Sequence, residues 1–344
     1  MNNLPLKIGL LIFIGTLGFL SFYNKSITCD CVARISYENN DINDGINLDS
    51  LFRLPDSSEL KVVLEEWKTF NPQSESFKII KQYAYVNNRQ LILLEHFAEG
   101  QKHYGIILTP SQFDSTQKYP LLLYATGLNQ ATPIYNLDHS YIKSLLPKFE
   151  NYFIVIPSFR GQAFQIGDEK YCSDGFFGDA FDGATDDALR LLFLAKKQFS
   201  ENINTKRMVS YGVSRGGTVA LLAGIRSPEL NGVISTTGPS DFSSREVYNR
   251  YNFQFRYQYL SEVKPMMELR KKMLRSSPIH FVENISQPVF LLYGKNDRVV
   301  PLSNAERILK KLEGKNDLEY FFPEAGHSFE ESDRVVEWLE KYNN

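Results

Sequence analysis

Short apolar runs and stretches of helical periodicity alternate along the chain from about residue 78 to the C-terminus. The runs 121–125 and 152–156 are apolar throughout, which is typical of strands buried on both faces of a sheet. Between Ala184 and Ala195, apolar residues recur at i, i+4, i+7, i+8 and i+11, the spacing of an amphipathic helix. This alternation predicts an α/β fold, in which helices cover both faces of a mostly parallel, twisted sheet.

The same pattern predicts further strands. Two runs separated by an Asn-Asn-Arg turn indicate a hairpin at the start of the domain, and another strand follows it. The predicted strands are 79–86, 91–97, 104–108, 121–125, 152–156, 208–211, 232–236, 288–293 and 318–322.

The alternation lapses between residues 239 and 287. Tyrosine, phenylalanine and basic residues crowd this segment, which lies between two predicted strands. Two interpretations fit: a lid over a functional site, and a pair of surface helices that pack through aromatic contacts. We therefore expect a cap insertion at about 239–287.

The first 28 residues form a separate segment. Residues 8–23 are uncharged and largely apolar, and Lys7 precedes them. At 16 residues, this run is shorter than the roughly 20 that a membrane-spanning helix needs, and its length and flank are typical of a signal-peptide core. Cleavage before Cys29, lipidation of Cys29 and an uncleaved membrane anchor each fit the pattern. All three predict an exported protein that is periplasmic, extracellular or tethered to a membrane through residues 8–23.

The chain therefore divides into three predicted parts: a signal peptide or membrane anchor over 1–28, an N-terminal extension over 29–77, and the α/β domain over 78–344. The formal net charge is −2, so the composition does not indicate a nucleic-acid partner. Three cysteines are too few for a disulfide framework. Cys172 either pairs with Cys29 or Cys31 in an oxidising compartment or stays free. The oligomeric state is not predicted.

The segment Gly212-Val213-Ser214-Arg215-Gly216-Gly217 is the most informative part of the chain. An apolar run precedes it and another follows it, so it is a sharp turn between a strand and a helix. In such a G-x-S-x-G elbow, the serine hydroxyl stands clear of the sheet edge as a nucleophile. Gly212 and Gly216 are expected beside it because a side chain at either position would strike the neighbouring strand or helix.

A serine nucleophile needs a base, and the base needs an orienting acid. In one large class of serine hydrolases, the chain order is nucleophile, acid, base. Asp297 follows the predicted strand 288–293, and His327 follows the strand 318–322, so both lie at the same sheet edge as Ser214. We therefore predict a Ser214–His327–Asp297 triad. Asp241 is the alternative acid, because it follows the preceding strand.

Hydrolysis through such a triad also needs donors for the oxyanion. The backbone N–H of Arg215 is one predicted donor, and a second is expected near Gly127 and Leu128, in the loop after the strand 121–125. This chemistry requires no metal and no organic cofactor.

Several segments together resemble the catalytic domain of the prolyl oligopeptidase family of serine hydrolases. The resemblance runs from about Lys78 to the C-terminus. It implies an α/β-hydrolase fold and assigns Ser214, Asp297 and His327 as the triad. The segments are Tyr119-Pro120-Leu121-Leu122-Leu123-Tyr124, Phe159-Arg160-Gly161, the elbow, Ser277-Pro278-Ile279, Asp297-Arg298-Val299-Val300-Pro301 and Gly326-His327-Ser328-Phe329.

The sequence departs from the family pattern in two places. Many members carry a β-propeller that gates the site, whereas residues 29–77 leave room for about one blade where about four are needed. A propeller-gated peptidase is therefore not expected. The family also places a tyrosine hydroxyl in the oxyanion hole, and here Thr126 is expected at that position.

The predicted function is an exported serine hydrolase that cleaves acyl bonds through an acyl-enzyme. The resemblance favours a prolyl oligopeptidase-like peptidase acting on small peptides. An open site without a propeller also suits a carboxylesterase acting on small esters. An alternative of another class is a non-catalytic pseudo-hydrolase that binds a ligand or a protein through its cap.

Overall fold

A computed structural model gives the structure of residues 47–129, 132–261, 265–315 and 317–342. The predicted export segment, the extension up to residue 46, Cys29 and Cys31 lie outside the described residues. The extension and the domain are described from residue 47 onward.

Twelve strands are found in this part of the chain. They are β1 (Ser76–Ala84), β2 (Gln90–Ala98), β3 (Gln101–Leu108), β4 (Tyr119–Ala125), β5 (Ile134–Asn136), β6 (Phe153–Ser158), β7 (Ala163–Ile166), β8 (Glu169–Cys172), β9 (Ile203–Val213), β10 (Gly232–Thr236), β11 (Val289–Leu292) and β12 (Leu318–Phe321).

Nine of these strands form one sheet in the order β1-β2-β3-β6-β4-β9-β10-β11-β12. The strands from β6 to β12 in that order are parallel, and β1, β2 and β3 are antiparallel. The predicted hairpin is confirmed, and Asn87 and Asn88 form its turn with φ of 56° and 58°. A separate small sheet, β5-β7-β8, was not predicted.

Helices flank the sheet. They are α1 (Leu48–Leu51), α2 (Ser57–Lys68), α3 (Tyr141–Leu145), α4 (Asp182–Gln198), α5 (Arg215–Arg226), α6 (Arg245–Arg250), α7 (Asn252–Phe255), α8 (Met266–Arg275), α9 (Ser303–Leu312) and α10 (Ser332–Tyr342).

The central strands are buried on both faces, as their apolar runs predict. In β4, Leu121 and Leu123 pack in the core beneath α4 and α5, whereas Leu122 and Tyr124 pack in the core beneath α3 and α10. Successive side chains of a strand point to opposite faces, so one apolar run contributes to both cores. This arrangement confirms the predicted α/β-hydrolase fold class.

The cap lies between β10 and β11 and contains α6, α7, a π-helical turn (Arg256–Leu260) and α8. Its aromatic residues share a buried core with Trp67 of α2. Arg270 pairs with Glu59 at 2.5 Å and Arg275 pairs with Glu66 at 2.6 Å, so ion pairs also join cap and extension. The basic residues of the cap therefore have a structural use.

Cys172, at the end of β8, is disulfide-bonded, and its partner lies outside the described residues. Within the described ranges, no helix is both long and apolar enough to span a bilayer.

Candidate active site

Ser214 occupies the turn between β9 and α5. Its φ of 56° and ψ of −120° are rarely adopted by a residue with a side chain, and they define a strained elbow. A Cβ atom on Gly212 would lie 2.1 Å from the carbonyl oxygen of Gly216, and one on Gly216 would lie 1.9 Å from that of Ala125. The predicted need for glycine at both positions is therefore met, and the close packing holds the elbow against β4.

Three side chains from separate loops form one hydrogen-bonded line. The Asp297 carboxylate lies 2.7 Å from Nδ1 of His327, and Nε2 of His327 lies 3.1 Å from Oγ of Ser214. A carboxylate only accepts, so Nδ1 carries the proton and Nε2 accepts from the serine hydroxyl. The structure thus brings together the three residues that sequence order selects.

The Asp297 carboxylate is held in place by hydrogen bonds from its own loop. The other carboxylate oxygen of Asp297 accepts backbone N–H groups from Val299 and Val300, at 2.7 and 2.8 Å. The Asp297 side chain is fully buried, while His327 remains partly exposed. The imidazole can therefore reach a substrate while its orientation is held from behind.

The alternative acid lies elsewhere. One oxygen of Asp241 pairs with Arg307 at 3.0 Å, and the other accepts from the hydroxyl of Ser243 at 2.7 Å. The same hydroxyl contacts His280 at 2.8 Å. Asp241 thus belongs to a separate polar cluster, and Asp297 is the acid that contacts His327.

The loop after β4 faces the nucleophile. An ideal Cβ on Gly127 would lie 3.9 Å from Cβ of Ser214. Among the described residues, no group accepts a hydrogen bond from the backbone N–H of Gly127, Leu128 or Arg215. These three are the N–H groups that the sequence nominates for the oxyanion.

The side chain of Arg215 holds this loop from the protein interior. Its Nε donates to the carbonyl of Thr126 at 3.2 Å, and Nη2 donates to the carbonyl of Gly127 at 2.9 Å. In a trans peptide the C=O and N–H groups point in opposite directions. Fixing these two carbonyls therefore turns the N–H groups of Gly127 and Leu128 away from the guanidinium.

This guanidinium has an unusual environment. It is buried, stacks on Phe159 at 4.6 Å from the ring centre and has no carboxylate within ion-pair distance among the described residues. Burial lowers the pKa of Arg215 to about 9, and Asp187 opposes that shift from a distance. The sequence predicts a role only for the backbone N–H of Arg215, because nothing in the local pattern indicates where its long side chain lies.

Thr126 does not take the place of the family tyrosine. Its side chain is fully buried, and its hydroxyl accepts from Nη2 of Arg215 at 3.1 Å. The Thr126 hydroxyl thus faces the Arg215 guanidinium, which holds the loop from the protein interior. The expectation that Thr126 lines the oxyanion hole is not met. The backbone N–H groups are the remaining candidate donors to the oxyanion.

An apolar cavity of about 240 Å³ lies between the nucleophile and the cap. Ser214 and His327 form part of its wall, and four aromatic side chains from the cap and from the loop before α4 also line it. The cap therefore both covers the site and packs through aromatic contacts, as the two interpretations propose. The cap-side and loop-side lining residues include Phe181, Phe242, Val247, Tyr251, Gln254, Phe255 and Gln258.

Comparisons with known proteins agree on a family. A family model described as the prolyl oligopeptidase family matches residues 150–343. The uncharacterized peptidase YuxL of Bacillus subtilis (strain 168) is 24% identical over 252 residues, which cover 70% of this chain and 35% of that protein. The chain thus spans about a third of the length of this curated relative.

Solved structures share the fold at low sequence identity. Acetyl xylan esterase 1 from Thermoanaerobacterium sp. JW/SL YS485 is similar with a TM-score of 0.60 and 17% identity, covering 87% of this chain and 99% of that one. The Pyrococcus horikoshii acylaminoacyl peptidase is similar with a TM-score of 0.50 and 14% identity, covering 77% of this chain and 48% of that one.

Proposed function

The chain belongs to the prolyl oligopeptidase family and is a serine hydrolase, and we propose that Ser214, His327 and Asp297 are its catalytic triad. The single observation that carries the proposal is the continuous line of hydrogen bonds from the buried carboxylate to the elbow hydroxyl. Membership of the family favours an enzyme over the non-catalytic alternative.

In the proposed reaction, His327 takes the proton of Ser214 as its oxygen attacks the acyl carbon, and returns it to the leaving group. Asp297 keeps the imidazole in the required tautomer and stabilises the imidazolium. The N–H groups of Arg215, Gly127 and Leu128 are the proposed donors to the oxyanion. Water, deprotonated by His327, then attacks the acyl-enzyme in the same way, which releases the acid and frees Ser214.

The proposed substrates are small peptides, in keeping with the family. The apolar cavity beneath the cap suits an aliphatic or aromatic group next to the cleaved bond. A carboxylesterase is the second candidate, because solved esterases such as acetyl xylan esterase 1 share the fold of this chain. Rates on 4-nitrophenyl esters and on peptidyl 4-nitroanilides, with proline and other residues before the cleaved bond, decide between them.

Export is also part of the proposal. It is supported by the apolar segment 8–23 and by the disulfide at Cys172, since stable disulfides belong to oxidising compartments. Fractionation of cells that make the untruncated chain tests it. Recovery of the protein in the cytosol with a free Cys172 thiol would contradict export.

The triad is tested with a fluorophosphonate probe, which reacts with activated serines. The purified protein should be labelled, and Ser214→Ala should abolish the labelling. Asp297→Asn should lower kcat about 10⁴-fold, because the imidazole is then held in the wrong tautomer. Asp241→Asn is the matched control and should retain activity. A folded, unlabelled wild type, or equal losses in the two asparagine variants, would contradict the proposal.

A further inference from the structure

A second cavity opens beside His327, and none of the described cap residues lines it. It measures about 320 Å³ and shares Leu128 and His327 with the apolar cavity. We call it the tyrosine cavity. The part of its wall used below consists of Tyr124, Tyr135, Tyr141, Thr236, Phe329 and Glu331.

The wall of the tyrosine cavity carries buried polar groups. The hydroxyls of Tyr135, Tyr141 and Thr236 are buried and lack a well-aligned hydrogen bond to any described residue, although the Tyr135 hydroxyl interacts with Ser140 and the Tyr141 hydroxyl interacts with Glu331. Buried hydroxyls in folded proteins nearly always have a partner, from the protein, from water or from a ligand. Three such groups around one cavity, next to the nucleophile, indicate that its natural content is polar.

Glu331 gives the cavity its charge. Its side chain is buried, with 2% of the residue exposed, and one carboxylate oxygen accepts from the hydroxyl of Tyr211 at 3.0 Å. Glu331 takes part in no ion pair among the described residues, whereas its neighbour Glu330 contacts Lys148 at 3.6 Å. A buried carboxylate without a cation is costly, so the site favours a positively charged occupant.

The titration of Glu331 agrees with this uncompensated environment. Burial raises its pKa to about 7, the hydroxyls of Tyr211 and Tyr141 oppose that shift, and Glu330 adds to it. Across the cavity, His327 is the other group that can carry a charge. A bound cation would favour the ionised carboxylate and would therefore lower this pKa.

We propose that the tyrosine cavity is a subsite for a protonated or quaternary ammonium group of the substrate, paired with the carboxylate of Glu331 and bordered by Tyr124, Tyr135 and Tyr141. Aromatic rings attract cations through their electron-rich faces. A neutral polyol would satisfy the hydroxyls but would leave the carboxylate without a counter-charge. This proposal rests on the proposed function, since it concerns a substrate held at Ser214.

The test uses pairs of esters that differ only in charge. On the acyl side, the 4-nitrophenyl esters of β-alanine and of 6-aminohexanoic acid are compared with those of butanoic and heptanoic acid. On the leaving-group side, butanoylcholine is compared with 3,3-dimethylbutyl butanoate. The readout is the ratio of kcat/KM for the charged ester to kcat/KM for its neutral counterpart. In at least one pair, this ratio should exceed about 10.

Two variants separate the subsite from general effects. Glu331→Gln preserves the shape of the side chain and the contact with Tyr211, and it should lower the charge ratio about tenfold or more. Glu330→Gln makes the same charge change on a side chain that is 68% exposed, and it should leave the ratio unaltered.

The wild type provides a second measurement that does not depend on the folding of a variant. The charge ratio for butanoylcholine should fall as the pH drops through about 7, because protonation of Glu331 removes the counter-charge. Ratios near 1 for every pair, a ratio unaffected by Glu331→Gln, or a pH-independent ratio would overturn the subsite. Absence of fluorophosphonate labelling would instead overturn the triad.

Discussion

Replacing Arg215 with methionine tests how the loop after β4 is held for catalysis. Methionine retains much of the side chain's apolar volume but removes the donors to the carbonyls of Thr126 and Gly127. The two peptide planes are then free to rotate, and the N–H groups of Gly127 and Leu128 lose their orientation. The backbone N–H of residue 215 itself is unaffected.

The expected loss of activity follows from the number of oxyanion donors that the substitution loosens. Loss of one oxyanion donor typically lowers kcat about 10²–10³-fold. Up to two donors are loosened here but neither is deleted, so we expect kcat to fall about 10²-fold with KM nearly unchanged. The melting temperature should change little, because the lost hydrogen bonds are offset by relief from burying a charge without a carboxylate partner.

The assay is steady-state hydrolysis of a 4-nitrophenyl ester, combined with inhibition by a trifluoromethyl ketone, which forms a tetrahedral oxyanion adduct with the serine. Affinity for the ketone should fall in parallel with kcat/KM. Gln162→Met, which removes the 3.2 Å contact between Gln162 and the same guanidinium but leaves the loop carbonyls held, is the control and should be mild. Unchanged ketone affinity, or a loss of kcat explained by partial unfolding, would refute the reasoning.

Three further predictions concern stability. Gly216→Ala should lower the free energy of unfolding by more than about 3 kcal/mol, because the added Cβ would collide with the carbonyl of the facing strand. Gly326→Ala is the control and should fold normally, because the space around Gly326 is open. Urea titration measures both variants. Arg270→Ala, which breaks a buried ion pair between cap and extension, should cost about 3 kcal/mol. The exposed Arg245→Ala should cost less than about 1 kcal/mol, and equal losses would contradict the difference in burial. Burial lowers the pKa of His96 to about 4, so between about pH 6.5 and pH 4 the unfolded chain binds a proton that the folded chain does not. The free energy of unfolding should therefore fall by about 3 kcal/mol as the pH drops through this range. In His96→Gln, melting curves should show a smaller loss of stability over the same range.

The elements that sequence reasoning predicted correctly are those encoded locally. The strands that become β4 and β6 contain continuous apolar runs, and the elbow at Ser214 is specified by glycines within a few residues of it. Asp297 and His327 follow predicted strands directly, so chain order was enough to nominate them. Their convergence with Ser214 follows from the parallel sheet, which brings these strand ends to one edge.

The features that were missed depend on contacts between distant parts of the chain. Arg215 reaches the loop at Thr126, which is 89 positions away, and Glu331 meets Tyr211 across 120 positions. In the sequence, Glu331 has the pattern of an acidic residue preceding a helix, a common and unremarkable position. The docking of α2 on the cap likewise rests on pairs such as Glu59 with Arg270, which no local pattern reveals.

The most direct test of the central proposal is to trap the acyl-enzyme. A slowly deacylated 4-nitrophenyl ester should release a burst of 4-nitrophenol equal to the enzyme concentration, and peptide mapping by mass spectrometry should locate the acyl group on Ser214. No burst from folded, active enzyme, or an acyl group on any other residue, would contradict the proposed role of Ser214.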